Sequence, residues 1–411
     1  MKKFAGWLGL SIIVCFYSSC KTSHPATSLS AADNTKHTVV VLQTKKDFIF
    51  QKGTIGFSNK FSSARLNNVV VVNDSTYSVL ILPENNPINP SPWYAFKIWS
   101  KKNRQVYLQL QYQQVAHRYN PKFSINGKQW QRIDDVSLNK DSTTASFKIT
   151  LTANDTAFIA AQELMDLPSS YLWMDSLANL SGIHKQVIGS SINNNPIVCL
   201  NTKGASGKEI IVVLSRQHPP EITGYRAMQH FVNRILDGSS LSKKFLERFE
   251  VIVIPTINPD GVEQGNWRHN MAGVDLNRDW ENFKQPETQA IRNYIITTLE
   301  KQQAKIYFAI DFHSTWYDVF YTNTDDKRSN APGFINDWLK VFEQSIPGYK
   351  INARASGNGS NVSKAWFDRT FEAEALTYEV GDNTTVEFLK TKATIAAEKM
   401  MEMLLLTKIL Q

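Results

Sequence analysis

The chain has little cysteine: only Cys15, Cys20 and Cys199 among 411 residues, too few for a disulfide framework. It also lacks any block of five or more basic residues, and its formal charge of +8 is spread along the sequence. That excludes a dedicated nucleic-acid track, so no nucleic-acid partner is expected; what remains is solubility and attraction to anionic surfaces. The apolar stretch from Gly6 to Tyr17 is too short to span a bilayer as a stable helix. What the chain does have is apolar content, 42% hydrophobic against 20% charged, which excludes a disordered or fibrous protein and suffices for two cores.

The first residues read as an address rather than as fold. Lys2 and Lys3 precede the apolar stretch, and Tyr17-Ser18-Ser19-Cys20 resembles a bacterial lipoprotein signal, with Tyr17 where an aliphatic residue is more usual. Residues 1–19 are expected to be removed and Cys20 to carry the lipid, with 20–37, rich in Ser, Thr and Ala, as a flexible tether. The expected location is a bacterial cell envelope, membrane-anchored at Cys20. The lack of an acidic pair after Cys20 points to the periplasmic face of the outer membrane. With Cys15 removed and Cys20 acylated, Cys199 has no partner, and Pro196 to Leu200 reads as a buried strand around a structural thiol.

Two rhythms follow. Residues 38–160 alternate apolar and polar positions in short runs: Val69 to Val72, Tyr77 to Leu82, Tyr94 to Trp99, Gln105 to Tyr112 and Ser146 to Leu151. Turn formers such as Asn73-Asp74, Pro83-Glu84-Asn85 and Asn126-Gly127 separate them, which predicts an antiparallel β-sandwich with no catalytic cluster of its own. Residues 167–411 alternate strands with longer helical segments and predict an α/β domain. Glu209 to Leu214 and Phe249 to Ile254 are continuous apolar runs suited to a buried sheet, as is Ile306 to Phe312. Glu221 to Leu236, Pro286 to Leu299 and Thr384 to Leu410 carry helical spacing.

Chemistry gathers at the strand ends of this second region, where ligands collect in open α/β sheets. His218 and Glu221 follow the run ending at Leu214, three residues apart, and His313 follows Phe312. Two imidazoles and a carboxylate, with a fourth position for water, are what a hydrolytic zinc ion needs. One zinc ion is expected. Asp275 is placed to accept from the free ring nitrogen of His218. His117, His184, His230 and His269 lack metal-type partners and read as surface or core residues.

Such a centre needs a proton-transferring carboxylate, and Glu379, closing the apolar run from Ala375, is the candidate, with Glu372 and Glu374 as neighbouring alternatives. Arg268 is placed to donate to a carbonyl oxygen as it gains charge. Asn277 and Arg278 can grip a carboxylate, Arg278 through two parallel donors.

These residues carry a resemblance. Arg216 to Glu221, Asn258-Pro259-Asp260-Gly261-Val262, Asn266-Trp267-Arg268, Gly273 to Arg278, Phe312-His313-Ser314 and Tyr378-Glu379 resemble the M14 zinc carboxypeptidases, over about Leu167 to Gln411. A β-sandwich ahead of the catalytic region, with Trp93-Tyr94-Ala95-Phe96 and Pro121-Lys122-Phe123 in it, resembles the cytosolic-carboxypeptidase-like branch. The resemblance implies a central mixed sheet flanked by helices. It also implies zinc ligands His218, Glu221 and His313, general base Glu379, oxyanion helper Arg268 and clamp residues Asn277 and Arg278. Two points depart from the family pattern: Pro219-Pro220 replaces the commoner Pro-Gly, and Ala353 to Lys364 contains no mobile-loop tyrosine. Trp316, Tyr317 and Tyr321 are the candidates to stand in for it.

The residue at the family's pocket floor aligns with Lys364, which predicts an acidic side chain at the end of the substrate, unless Lys364 is an exposed loop lysine. Expected substrates are peptides with a free C-terminus, acidic tails or peptidoglycan stem peptides among them. Two alternatives stay open: a zinc-dependent amide deacylase, and a non-catalytic envelope lipoprotein that binds through its sandwich.

Overall fold

Alternation of apolar and polar residues builds the strands from Asp47 to Ala160. They are β1 (Asp47–Phe50), β2 (Ile55–Ser58), β3 (Asn68–Asn73), β4 (Thr76–Ile81), β5 (Ala95–Ser100), β6 (Arg104–Tyr112), β7 (Lys122–Ser124), β8 (Gln131–Arg132), β9 (Val136–Leu138), β10 (Thr144–Leu151) and β11 (Thr156–Ala160). They form two sheets, in the orders β1-β2-β5-β11-β7-β8 and β3-β4-β6-β10-β9. Every second residue of β6 points inward, so Val106, Leu108 and Leu110 meet Phe57, Phe96 and Ile98 in one buried cluster. All pairs are antiparallel except β4 with β6, which run parallel because β5 between them in sequence lies in the other sheet. The computed structural model describes residues 38–113, 115–202, 208–324, 329–356 and 359–406; the expected signal segment, tether and lipidated Cys20 lie outside the described residues.

A mixed eight-stranded sheet follows: β12 (Ile183–Ser190), β13 (Pro196–Thr202), β14 (Glu209–Ser215), β15 (Phe249–Ile254), β16 (Lys305–Thr315), β17 (Val319–Thr322), β18 (Ala353–Ala355) and β19 (Glu374–Gly381), in the order β12-β13-β15-β14-β16-β19-β17-β18. The central strands β15, β14, β16 and β19 run parallel. They are covered on both faces, as their continuous apolar runs require. The helices are α1 (Leu167–Ala178), α2 (Ile222–Ile235), α3 (Ser240–Arg248), α4 (Pro259–Gln264), α5 (Pro286–Gln302), α6 (Phe334–Gln344), α7 (Ser363–Phe371) and α8 (Val386–Leu406). Phe231, Phe245, Trp338 and Met400 of α2, α3, α6 and α8 pack on one face, and Ile291 and Trp366 of α5 and α7 on the other.

Two expected boundaries move, and both changes serve the site. Strand β16 runs on to Thr315, so His313 lies inside it rather than after it, because Ser314 and Thr315 keep pairing with Val380 and Gly381. Helix α2 starts at Ile222 with Glu221 as its N-cap residue, which leaves the Glu221 side chain outside the helix. Gly224 lets α2 lie directly on β16: a Cβ there would sit 2.2 Å from the carbonyl oxygen of His313. The expected closing helix is observed to Leu406; residues 407–411 lie outside the described residues.

The sandwich and the α/β region share packing. Ile222 and Trp267 are buried in the sandwich's apolar cluster, and Trp267 Nε1 donates to the carbonyl of Trp93 at 3.1 Å.

Candidate active site

The turn after β14 is held in shape by a buried arginine. Arg216 adopts a left-handed backbone conformation at φ 59°, and its Nε donates to the carbonyl of Pro219 at 2.9 Å. The turn His218-Pro219-Pro220-Glu221 is thereby closed, and its two functional side chains converge. His218 Nδ1 lies 2.8 Å from Glu221 Oε1, His313 Nδ1 lies 2.7 Å from Glu221 Oε2, and the two Nδ1 atoms are 3.1 Å apart. All three residues are buried.

Each imidazole is oriented through its other nitrogen. His218 Nε2 meets Asp275 Oδ1 at 2.9 Å, and Asp275 Oδ2 accepts from Arg268 Nε at 2.7 Å, so one carboxylate fixes both groups. His313 Nε2 lies 3.0 Å from Asp311 Oδ2. That oxygen also accepts from Gln217 Nε2 at 2.6 Å and from Ser363 Oγ. Asp311 was missed in the sequence reading. Its signal was available: a carboxylate two residues before His313 on a strand shares its face.

The electrostatics suit a cation. Burial opposes the charge on Glu221, but His218 and His313 more than offset it and hold the carboxyl well below its usual range. Burial likewise opposes a charged His313, yet Asp311 and Glu221 raise its proton affinity well above normal. Asp275 stays charged despite burial because Arg268 and His218 face it. The donor set is also the right size. Ligand atoms about 2.0–2.1 Å from a tetrahedral zinc stand about 3.3 Å from one another; here the two Nδ1 atoms are 3.1 Å apart, and one donor atom from each of the three residues can be chosen so that all lie within 4.8 Å of one another. His218, Glu221 and His313 therefore fit a zinc ion.

Glu379 faces His313 across the sheet, the two being register partners in parallel β16 and β19. Burial first, and the nearby Glu221 carboxylate second, push the Glu379 carboxyl up to about 7; Oε2 is buried with no hydrogen-bond partner among the described residues. The alternatives fare differently: Glu374 bonds Ser329 Oγ at 2.7 Å, and Glu372 is the exposed cap of α7.

Around this centre, Arg268 is buried, and Nη1 and Nη2 make no hydrogen bond among the described residues. Asn277 Oδ1 accepts from the Ser363 backbone at 3.0 Å, and Nδ2 lies 3.5 Å from His313 Nε2. Arg278 is exposed, with Nη1 donating to the Asn277 carbonyl at 2.8 Å. Lys364 is buried at the start of α7, not an exposed loop lysine; its ammonium donates to Asn323 Oδ1 at 2.7 Å and to the Ser356 carbonyl at 3.0 Å. Burial lowers its pKa to about 8. Of the aromatic stand-ins, Trp316 and Tyr317 are about half exposed, while the half-buried Tyr321 feels the charge of Glu379. Cys199 is buried in β13 with its pKa pushed up to about 12, and His117 pairs with the Tyr112 hydroxyl.

The sandwich, expected to be free of site residues, reaches this centre. Arg118 donates through Nε to Asp382 at 2.8 Å and through Nη2 to the carbonyl of Ser314, next to His313. Glu84 accepts from the backbone of Arg268 at 2.9 Å. Neither contact is readable locally, since both partners lie far away in sequence.

Mouse cytosolic carboxypeptidase 3 is 26% identical over 322 residues, covering 68% of this chain and 31% of its own length. The chain thus spans about a third of that relative. Mouse cytosolic carboxypeptidase 6 is 22% identical over 377 residues, covering 81% of this chain and 69% of its own length. A metallo-carboxypeptidase structure from Burkholderia cenocepacia superposes with a TM-score of 0.70 at 17% identity, over 87% of this chain and 99% of that one. One from Pseudomonas aeruginosa, in complex with (2-guanidinoethylmercapto)succinic acid, gives 0.65 at 17%, over 86% and 100%. These establish a shared fold. The family profile described as zinc carboxypeptidase matches residues 170–404, and the chain belongs to that family.

Proposed function

We propose that the chain is a zinc-dependent carboxypeptidase that hydrolyses the C-terminal amide bond of peptides. The observation that carries this reading is the convergence of His218, Glu221 and His313 beside the buried, unpartnered Oε2 of Glu379. His218, Glu221 and His313 would hold the zinc ion, which would supply Lewis acidity to the reaction. Glu379, with its carboxyl near 7, takes a proton from the attacking water and returns it to the leaving nitrogen. Arg268, anchored at Nε by Asp275, offers its Nη groups to the carbonyl oxygen as charge develops. Asn277 and Arg278 hold the terminal carboxylate, which restricts cleavage to chain ends.

Lys364 selects an acidic terminal side chain. Its ammonium has three donors and two acceptors are described, so one donor remains for a substrate carboxylate. Acidic peptide tails and peptidoglycan stem peptides carry such groups. The basic start, short apolar stretch and Cys20 support a lipid anchor in a bacterial envelope, on the periplasmic face of the outer membrane. Palmitate labelling of the full chain, lost in Cys20→Ala, tests that anchor.

The reaction is tested with purified protein on peptides with free and amidated C-termini, with and without chelator. Release of the last residue from free ends alone, abolished by chelator, supports the carboxypeptidase. Cleavage of N-acyl amino acids instead would favour a deacylase, and no turnover of either a binding lipoprotein.

A further inference from the structure

The loop that carries Arg268 is gripped by a buried charge pair from the sandwich. Glu84, in the turn after β4 and 1% exposed, accepts three consecutive backbone N–H groups: Trp267 at 2.7 Å to Oε2, then Arg268 at 2.9 Å and His269 at 2.6 Å to Oε1. Arg65, also 1% exposed, takes the preceding residues, with Nε donating to the Gly265 carbonyl at 2.5 Å and Nη2 to Asn266 Oδ1 at 2.9 Å. Asn85 extends the grip, donating to the Gly273 carbonyl at 3.2 Å and accepting from His269 Nδ1 at 2.7 Å. Gly265 has a left-handed backbone, and a Cβ on it would lie 2.7 Å from the Ser63 carbonyl oxygen, so the two chains approach as closely as glycine allows.

We infer that Glu84, balanced by Arg65, is a positioning residue for the hydrolysis: the sandwich sets where Arg268 stands. Arg268 has two described anchors, its own N–H on Glu84 and its Nε on Asp275, and together they leave its Nη groups for the substrate carbonyl. A carboxylate buried for packing alone would be costly; three charge-assisted donors in a row make it a fixed template for the loop. Because Arg268 acts on charge that develops during reaction, displacing its backbone lowers kcat more than it raises KM. The inference rests on the hydrolase reading above.

The test compares full-length Glu84→Gln with the wild type and with Val79→Ala, a buried sandwich-core change that removes none of the hydrogen bonds to the loop. Glu84→Gln is expected to lose about tenfold to a hundredfold in kcat, with KM and zinc content unchanged. Its amides at 267–269 should exchange with deuterium faster. Val79→Ala should lower stability and leave kcat alone. Asn85→Ala, which loosens the same loop more mildly, serves if Glu84→Gln does not fold, and should lose kcat several-fold. Unchanged kcat in the clamp variants, or an equal fall in Val79→Ala, would overturn the inference. A wild type without turnover would sink the hydrolase reading alone, and amide exchange would still decide whether Glu84 holds the loop.

Discussion

His313 and Glu379 are opposite one another in the parallel pairing of β16 and β19, so a metal-type imidazole and the unpartnered carboxylate are set by a single backbone register. A one-residue slip of β19 against β16 would turn Glu379 to the opposite face from His313. The prediction that follows concerns Glu379. Glu379→Gln keeps shape and register but cannot accept a proton, and kcat should fall about a hundredfold to ten-thousandfold. Zinc content, measured by atomic absorption, should stay at the wild-type level; its loss would assign Glu379 to the metal instead.

Asp275 serves two masters through separate oxygens, His218 and Arg268. Asp275→Asn should weaken zinc binding about tenfold to a hundredfold and also lower kcat at saturating zinc. Asp311 orients His313 but makes no contact with Arg268 among the described residues, so Asp311→Asn should weaken zinc binding with a smaller change in saturated kcat. Competition against a calibrated chelator separates the two, and identical behaviour would speak against divided roles.

As the proposed selector of an acidic terminal side chain, Lys364 should make specificity pH-dependent. Burial holds its pKa near 8, so it is cationic below that and neutral above. The preference for a C-terminal Glu over Leu, read as a ratio of kcat/KM, should decline as pH rises through 8, and Lys364→Met should abolish it at every pH. A ratio that is flat across this range would remove Lys364 from the pocket.

Glu287 predicts a stability trend away from the site. It is buried at the start of α5, where Asn270 Nδ2 donates to Oε2 at 3.2 Å and Oε1 has no partner among the described residues. Burial raises its pKa from 4.5 to about 7, with Asp260 adding to the rise. The folded state therefore binds the proton more tightly. Its contribution is fully present below pH 4.5 and is lost as pH rises through 7, on the order of 3 kcal/mol. Glu287→Gln should lose less melting temperature than wild type between pH 5 and 8; parallel curves would contradict this.

What could be read from the sequence was what local rules encode. His218 and Glu221 belong to one turn, and Glu379 follows the apolar run from Ala375, so residue type and spacing mark them as candidates in the sequence itself. The continuous runs of β14 and β15 marked strands of a buried sheet, whereas β7, β8 and β9, two or three residues each, are too short to carry an alternation. Lys364 could not be told from a loop lysine because its burial depends on Asn323 and Ser356 folding over it. Glu84 stood in an unremarkable turn. Its partner Arg268 is 184 residues away, and only tertiary packing brings them together.

The central claim is that His218, Glu221 and His313 hold the zinc that makes this chain a peptidase. Titrating zinc into chelator-stripped protein while following release of a C-terminal residue tests it directly. Activity should return in step with zinc and level off near one equivalent in the wild type, and should not return in His313→Ala. Turnover independent of added metal, or full recovery in His313→Ala, would contradict the account.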